Sequence, residues 1–496
     1  MFLILRWKQI VLVLIFFVLG LGTGLFWPGG DKSGYIPALR LSGDVEKPLQ
    51  VKELTKNNLL NIEYRDSSYR VIRLKELVER AIPRSNNYEL VLIGEDGLTA
   101  CLAGTQLEES YIYYSTSSGW SALNLNHPIS SNIKQLEQII IVSLEPLPDR
   151  TLSFISPNEN IRQISPGQLL KGALTVYPYF EGASTFKVEG VSYRTGIYTR
   201  RRLVKPGELV EREIKRSLII GAKGEEILDQ GGFLELGDNQ VNYFNPASGK
   251  GLKNVRGIIL DAPVARNSDA FHDALYYLEQ DQRVLIIMLD GFGFHQYKYA
   301  LENGYAPFLV GTKRANRVLS VFQPVTNAGL AAVLTGTGPE NNGVYSRKQK
   351  ELQSDDIFQK AEEMGKSSAY IEGHIKILNT TVEPVLNPDV NQNGTTDDEI
   401  MAAGLAAIAE DYALLFVHFH GIDDQGHHSG DLSSKTMEIV RVTDAYLQEL
   451  VAVWPGQVII TADHGMHQTT SGGSHGIVCY QDLFVPYLII EGGKQG

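Results

Sequence analysis

At 496 residues with 43% hydrophobic content, the chain is too long for one ordinary domain and has room for about two to four. Its net charge of -12, with no long basic run, argues against nucleic-acid binding, and 21% charged residues is a globular composition. The cysteines, Cys101 and Cys479, lie far apart, which excludes a disulfide framework and a thiolate metal cluster, so any metal must be held by Asp and His.

Arg6 and Lys8 precede an uncharged apolar run from Ile10 to Phe26, after which Asp31 and Lys32 begin a polar chain. Residues 1–30 therefore read as an uncleaved signal anchor. Basic residues ahead of the run put the N-terminus in the cytoplasm and everything after Trp27 outside, a single-pass protein of the cell membrane. A cleaved and secreted chain is the alternative, although Gly20-Leu21-Gly22 makes a poor cleavage site.

Residues 33–145 read as a β-rich module. Strands are expected at Tyr69 to Ile72, Tyr88 to Ile93, Tyr111 to Tyr114 and Gln138 to Val142, with a helix at Leu74 to Ala81. Pro146 and Pro148 fall in a linker, and residues 146–264 read as a second β-rich module with strands at Ala173 to Tyr177 and Ser217 to Ile220. Tyr69 to Leu77, followed by Val91 to Leu98, carry a resemblance of residues 42–143 to the sulfite-oxidase-type molybdopterin-binding fold. It implies a fold and no cofactor, because Cys101 follows the Asp96-Gly97 turn and no cysteine stands where that family ligates molybdenum. A spacer or recognition module is the expected role.

From Arg283 the texture changes to alternating strands and helices. Val284 to Leu289 is continuously apolar, as in a strand buried on both faces. Helices are expected at Ala328 to Leu334, Ile357 to Met364, Glu399 to Ala409 and Thr436 to Val453. Strands are expected at Ser368 to Glu372, Ala413 to Phe419, Gln457 to Thr461 and Tyr487 to Ile490. The fold class is α/β, with a mostly parallel sheet flanked by helices and a site beyond the strand C-terminal ends.

Chemistry-bearing residues gather at those ends. Asp290 follows the first strand, Asp423 and His427 follow the strand ending near Phe419, and Asp463 and His464 follow Thr461. His475 comes shortly after, in Gly472-Gly473-Ser474-His475-Gly476. Three carboxylates at one sheet edge repel each other and lose solvation, a cost that cations offset, and two Zn²⁺ match the N/O ligand set. Thr326, in Gln323-Pro324-Val325-Thr326-Asn327, stands just before a helical run, where free N–H groups receive phosphate. The alternative at such a position is a helix N-cap.

Asp290-Gly291, Thr326, Thr335-Gly336-x-x-Pro339-x-x-x-Gly343, Asp423-x-x-Gly426-His427-x-x-Gly430, Asp463-His464-Gly465-Met466 and His475-Gly476 occur in the order of the alkaline phosphatase superfamily. They most resemble its nucleotide pyrophosphatase/phosphodiesterase branch, over residues 283–496. The resemblance implies one zinc on Asp290, Thr326, Asp463 and His464, and another on Asp423, His427 and His475. It further implies Thr326 as a nucleophile that becomes phosphothreonine, with the Asn327 amide donating to a phosphoryl oxygen. The usual His of the Pro-x-x-His-Gly stretch is Asn342. Arg347 stands where diesterases of the branch often carry a phosphate-contacting Asn, and its bidentate guanidinium suits a dianionic monoester. An exposed turn residue is the other reading of Arg347. The inserts that shape nucleotide pockets in larger relatives are missing, so no nucleotide substrate is expected.

Asp389-x-Asn391-x-Asn393-Gly394 resembles the start of a calcium loop, but its twelfth position is Ile400, with Glu399 one residue early, and a turn leading to a helix capped near Thr396 is the other reading. His418 and His420 alternate along a strand, which allows one of them to face the site, and His374 and His467 are further candidates for its lining; a structural or supporting role is the favoured reading of each. The sequence thus points to an extracytoplasmic two-zinc phosphohydrolase acting on mono- or diesters of small or envelope molecules. A cofactor-independent phosphomutase and a non-catalytic envelope protein with a degenerate phosphatase fold are the rivals. A sulfatase is excluded because Thr326-Asn327-Ala328 supplies no formylglycine precursor.

Overall fold

The computed structural model describes residues 36–52, 59–145, 147, 151–172, 176–211, 214 and 216–493. The expected anchor, Pro146, Pro148 and the start of the Ala173 to Tyr177 strand lie outside these. Among the described residues, no helix is long and apolar enough to cross a membrane.

The N-terminal part is β-rich. A five-stranded sheet built on Leu39–Gly43, Leu136–Ser143 and Tyr88–Gly94 packs with a four-stranded sheet and the helix Leu74–Ala81 around one core. That helix forms where expected because Leu74, Leu77, Val78 and Ala81 line one face and are buried. A second core lies among strands that include Leu152–Ser156, Ser217–Gly221 and Val255–Leu260. From it runs a long hairpin, Val176–Val188 with Val191–Val204, which the sequence reading reduced to a short strand. Buried Asp44 joins the two parts, accepting from Ser143 N at 2.8 Å, Ser165 Oγ at 2.6 Å and Gly167 N at 2.8 Å.

The second part docks on the C-terminal domain through a mixed apolar cluster in which Ile155, Leu218 and Ile259 meet Leu319, Phe322 and Phe484. The C-terminal domain opens on α1 (Asp269–Glu279), an element outside the expected set, whose Ala270, Phe271, Ala274 and Leu278 join the largest core. Its sheet has seven strands: β1 (Val284–Leu289), β2 (Asn316–Leu319), β3 (Ser368–Glu372), β4 (Val385–Leu386), β5 (Leu414–Phe419), β6 (Gln457–Thr461) and β7 (Phe484–Glu491). Their order is β2-β7-β6-β1-β5-β3-β4, parallel from β6 to β4, with β7 antiparallel to both of its neighbours, β6 and β2.

Every residue of β1 and β5 is buried, which explains their lack of alternation. Register does the positioning. Met288 faces both His418 and Thr461 across the sheet, so β1, β5 and β6 end level. Whatever follows them falls on one edge. Among the further helices of the domain are α2 (Thr326–Thr335), α3 (Asp397–Ala409), α4 (Gly421–Ser429) and α5 (Ser434–Val453), and Ile357–Glu363 forms where a helix was expected. The fold is a mixed α/β one, a helix-flanked seven-stranded sheet behind β-rich modules.

Candidate metal centre

Asp290 is the residue after β1, its N–H bonded to Phe419 O at 2.9 Å. Gly291 follows with φ 70°, and a Cβ there would sit 2.7 Å from Asp423 Oδ1, so only glycine lets the two acidic segments close on each other. Asp463 and His464, two and three residues beyond β6, are fully buried. Asp423 and His427 were expected after the strand ending near Phe419, with no element assigned to them. They stand one turn apart on α4, which puts both on one helix face. His475 follows the short strand Gly472–Ser474.

Thr326 is the first residue of α2, and Val325 holds the N-cap position. The hydroxyl is therefore not a cap, and instead lies 3.4 Å from His464 Nε2. The first intrahelical bond is Gly329 N to Val325 O, so the N–H groups of residues 326 to 328 point out of the helix end. All ten residues of α2 are buried, which fixes that end in place.

The imidazoles share one arrangement. His464 Nδ1 lies 3.0 Å from Gly465 O, His427 Nδ1 3.1 Å from Gly473 O, and His475 Nδ1 2.8 Å from Pro324 O. Each carbonyl can only accept, so each Nδ1 carries a proton, and in the neutral ring each Nε2 presents a lone pair. Those lone pairs face carboxylates: His464 Nε2 is 3.4 Å from Asp290 Oδ1 and 3.3 Å from Asp463 Oδ2, and His427 Nε2 is 3.2 Å from Asp423 Oδ2. Asp290 Oδ1, Asp423 Oδ1 and Asp463 Oδ2 are buried with no hydrogen-bond partner. Acceptors pointed at acceptors in a dry site fit a cation, and the residues present suit a divalent metal of the zinc class. Ligand atoms converge within 4.8 Å in Asp290-Asp463-His464 and in Asp423-His464-His475, so His464 lies between the two groups and its ring stacks on that of His475 at 3.8 Å.

Electrostatics give the same picture. Burial, and then the charges of neighbouring carboxylates, push the carboxyls of Asp290 and Asp463 up to about 7. At Asp423 burial is outweighed by His427 and the other two imidazoles, which hold it low. Burial and then His464 push His475 down, keeping it neutral and able to ligate.

A cavity of about 330 Å³ opens on this centre, lined by Asp290, Thr326 and Asp423 together with Arg347, Lys350 and His374. Arg347 Nη2 donates to His475 Nε2. The Asn327 amide, expected to donate to a phosphoryl oxygen, here donates to Gln349 O at 3.0 Å and Ile377 O at 3.2 Å and so braces two cavity loops. Asn342 is fully buried, bonded to Thr337 O at 2.8 Å and Val344 N at 3.0 Å, a turn residue.

His420 lines the cavity and His418 is buried behind Asp290. His467 instead pairs with Asp482 at 2.8 Å. In the Asp389–Asn393 loop, Asp389 accepts from Asn393 and Gly394 N–H groups, while Asn391 and Asn393 donate to Asp398, a bonded turn ahead of α3 and its N-cap Thr396. Glu372, at the end of β3, escaped the sequence reading. It accepts from both His418 and His420, and its signal was an acid ending an apolar strand, as at Asp290.

Residues 284–487 match the family model for type I phosphodiesterase / nucleotide pyrophosphatase, a family of phosphate-ester hydrolases, in agreement with the motif order. No curated protein matches the chain. Among solved structures it is similar to phosphonoacetate hydrolase from Sinorhizobium meliloti in complex with phosphonoformate, at 18% identity and a TM-score of 0.32 over 37% of this chain and 57% of that one. It is also similar to murine ectonucleotide pyrophosphatase / phosphodiesterase 5, at 21% identity and a TM-score of 0.31 over 38% of this chain and 58% of that one. The chain thus spans under three-fifths of the length of either relative.

Proposed function

We propose that the C-terminal domain hydrolyses phosphate esters with Thr326 as nucleophile, in a centre where Asp290, Asp463, His464 and the Thr326 hydroxyl hold one zinc-class cation and Asp423, His427 and His475 hold another. The observation that carries the reading is the set of three imidazoles, each with Nδ1 tied to a backbone carbonyl, with Nε2 of His427 and His464 turned on a carboxylate within 3.4 Å and Nε2 of His475, which also accepts from Arg347, 3.7 Å from Asp423 Oδ1. When bound, the ions lower the hydroxyl pKa and offset the carboxylate and phosphoryl charge.

The chain's own groups do the rest. The N–H groups at the head of α2 receive phosphoryl oxygens. Thr326 Oγ forms a bond to phosphorus as the bond to the leaving alcohol breaks. Water then cleaves the phosphothreonine, restoring the hydroxyl and releasing phosphate. Arg347 sits on the cavity wall beside His475, within reach of a phosphoryl group, and its fork favours the dianion of a monoester over a diester. Small or envelope phosphate esters are the substrate class. The basic flank and apolar run at the N-terminus support an extracytoplasmic, membrane-anchored location, tested by protease accessibility in intact cells.

The enzyme reading is tested by metal analysis together with p-nitrophenyl phosphate turnover. At least about two zinc ions per chain are expected, with turnover lost by roughly a thousandfold or more in Thr326→Ala and a phosphate label that stays on the protein in wild type only. A metal-free protein, or undiminished turnover in Thr326→Ala, would favour the non-catalytic envelope protein.

A further inference from the structure

We propose that Asp290, His418 and His420 form a third cation site, behind the two-ion centre, for a divalent transition metal of the zinc class. Glu372 is the residue that orients both imidazoles. The inference rests on the two-ion reading to the extent that Asp290 would bridge the two regions.

The site is built where β3 and β5 end side by side. Ile371 pairs with Val417, so Glu372 and His418 are neighbours at the next position, and both are fully buried. Glu372 Oε2 lies 3.1 Å from His418 Nδ1, and Oε1 lies 2.5 Å from His420 Nε2. The Tyr370 hydroxyl and the Gly373 N–H, the latter at 2.7 Å, also donate to it. A carboxylate with four donors is fully satisfied, and both imidazoles present their N–H to it.

The other ring nitrogens, His418 Nε2 and His420 Nδ1, are then lone pairs. Both turn on Asp290 Oδ2, at 3.8 Å and 3.1 Å. Three acceptor atoms thus meet within 4.8 Å, and the two rings lie with centroids 4.0 Å apart and planes tilted by 48°. His418 Nε2, in a residue with no exposure, has no hydrogen-bond partner. A second proton on His420 relieves its own contact with Asp290 but leaves that nitrogen unsatisfied. A cation satisfies all three atoms, and displaces such a proton as it does at any imidazole ligand.

Two imidazoles and a carboxylate select zinc, cobalt or nickel over magnesium or calcium, which take oxygen ligands. A carboxylate behind each ligating ring is the usual outer partner of such a site. Three protein ligands leave a position for water, reached from the cavity past His420, whose side chain is 16% exposed.

The test is metal content of the dialysed full chain, by plasma mass spectrometry, in wild type, His418→Asn, His420→Gln and His427→Asn. The first two substitutions keep a donor to Glu372 and delete the inward nitrogen, and His420 is the less buried of the pair if His418→Asn does not fold. About three zinc ions are expected in wild type and about two in each of His418→Asn and His420→Gln. Two ions in wild type and the same two in both variants would overturn the third site and leave the two-ion centre standing. One ion that His418→Asn removes and His427→Asn retains would establish the third site and sink the two-ion centre. Cobalt substitution gives a second readout: a difference in visible absorption between wild type and His420→Gln is expected, and identical spectra at equal cobalt count against the site.

Discussion

Gly329→Ala probes how α2 is held against the loop that carries Asp463. A Cβ at Gly329 would sit 2.4 Å from Asp463 O and 2.7 Å from Asp463 Cβ. That carbonyl cannot retreat. The Ser320 hydroxyl donates to it, and Asn267 Nδ2 donates to it at 3.3 Å and to Ala462 O at 3.2 Å. The helix must therefore move, by about 1 Å to restore ordinary contact, and in a close-packed interior that costs about 1–3 kcal/mol. Alanine's better helix propensity returns about 1 kcal/mol, for a net loss of up to about 2 kcal/mol. Thr326 is one turn away on the same helix, so its hydroxyl moves too, and a displacement of about 1 Å at the reacting atom costs about a hundredfold in rate. The variant should fold and melt a few degrees lower, with kcat/KM for p-nitrophenyl phosphate down by roughly two orders of magnitude. Wild-type turnover with a raised melting temperature would show that this contact does not position the nucleophile.

Three further outcomes follow from the site. Because the carboxyls of Asp290 and Asp463 are pushed up to about 7, their folded forms favour the proton, and that stability is lost as pH rises through the folded value. His420 and His427, held above the imidazole range, add to the loss above about pH 6.5, while neutral His475 opposes it only below that value. The chelated protein should therefore melt at lower temperature at about pH 8 than at about pH 6, and zinc should remove the difference; a rise across that interval would refute the assignment. Arg347→Asn should lower monoester kcat/KM by roughly tenfold or more and diester kcat/KM much less, and an unchanged ratio of the two would remove Arg347 from substrate recognition. Asp463→Ala should give no phosphothreonine on rapid quench with labelled substrate, whereas His475→Ala should form it and hydrolyse it slowly; a trapped phosphoenzyme in Asp463→Ala would contradict the division of ligands.

What the sequence made legible follows from which residues act through their neighbours in the chain. β1, β3 and β6 were readable to the residue, because each is built on a buried run of apolar or aromatic residues bounded by polar or charged ones. The acids at those stops were readable for the same reason, since Asp290 and Asp463 end apolar runs. Helix α4 was not, because Gly421, Gly426 and two adjacent histidines give it little helical propensity, and its form comes from packing on α5 and on the Gly472–Ser474 strand. The long hairpin was missed because ten consecutive residues of its second strand are exposed, so no burial imposes a period on them.

Asn327 shows the limit most sharply. Its place beside Thr326 suggested a substrate contact, but its partners, Gln349 O and Ile377 O, are supplied by loops 22 and 50 residues away, and spacing along one segment cannot report them. Glu372 fails the same way in the opposite direction. Nothing local distinguishes it from any acid ending a strand, and only the parallel pairing of β3 with β5 sets it behind His418. Residues that touch the reacting group recur in motifs because chemistry fixes their type, whereas those that orient them are fixed by register. The division implies that Glu372, though absent from every motif in the chain, governs the proton positions of two imidazoles and through them the environment of Asp290.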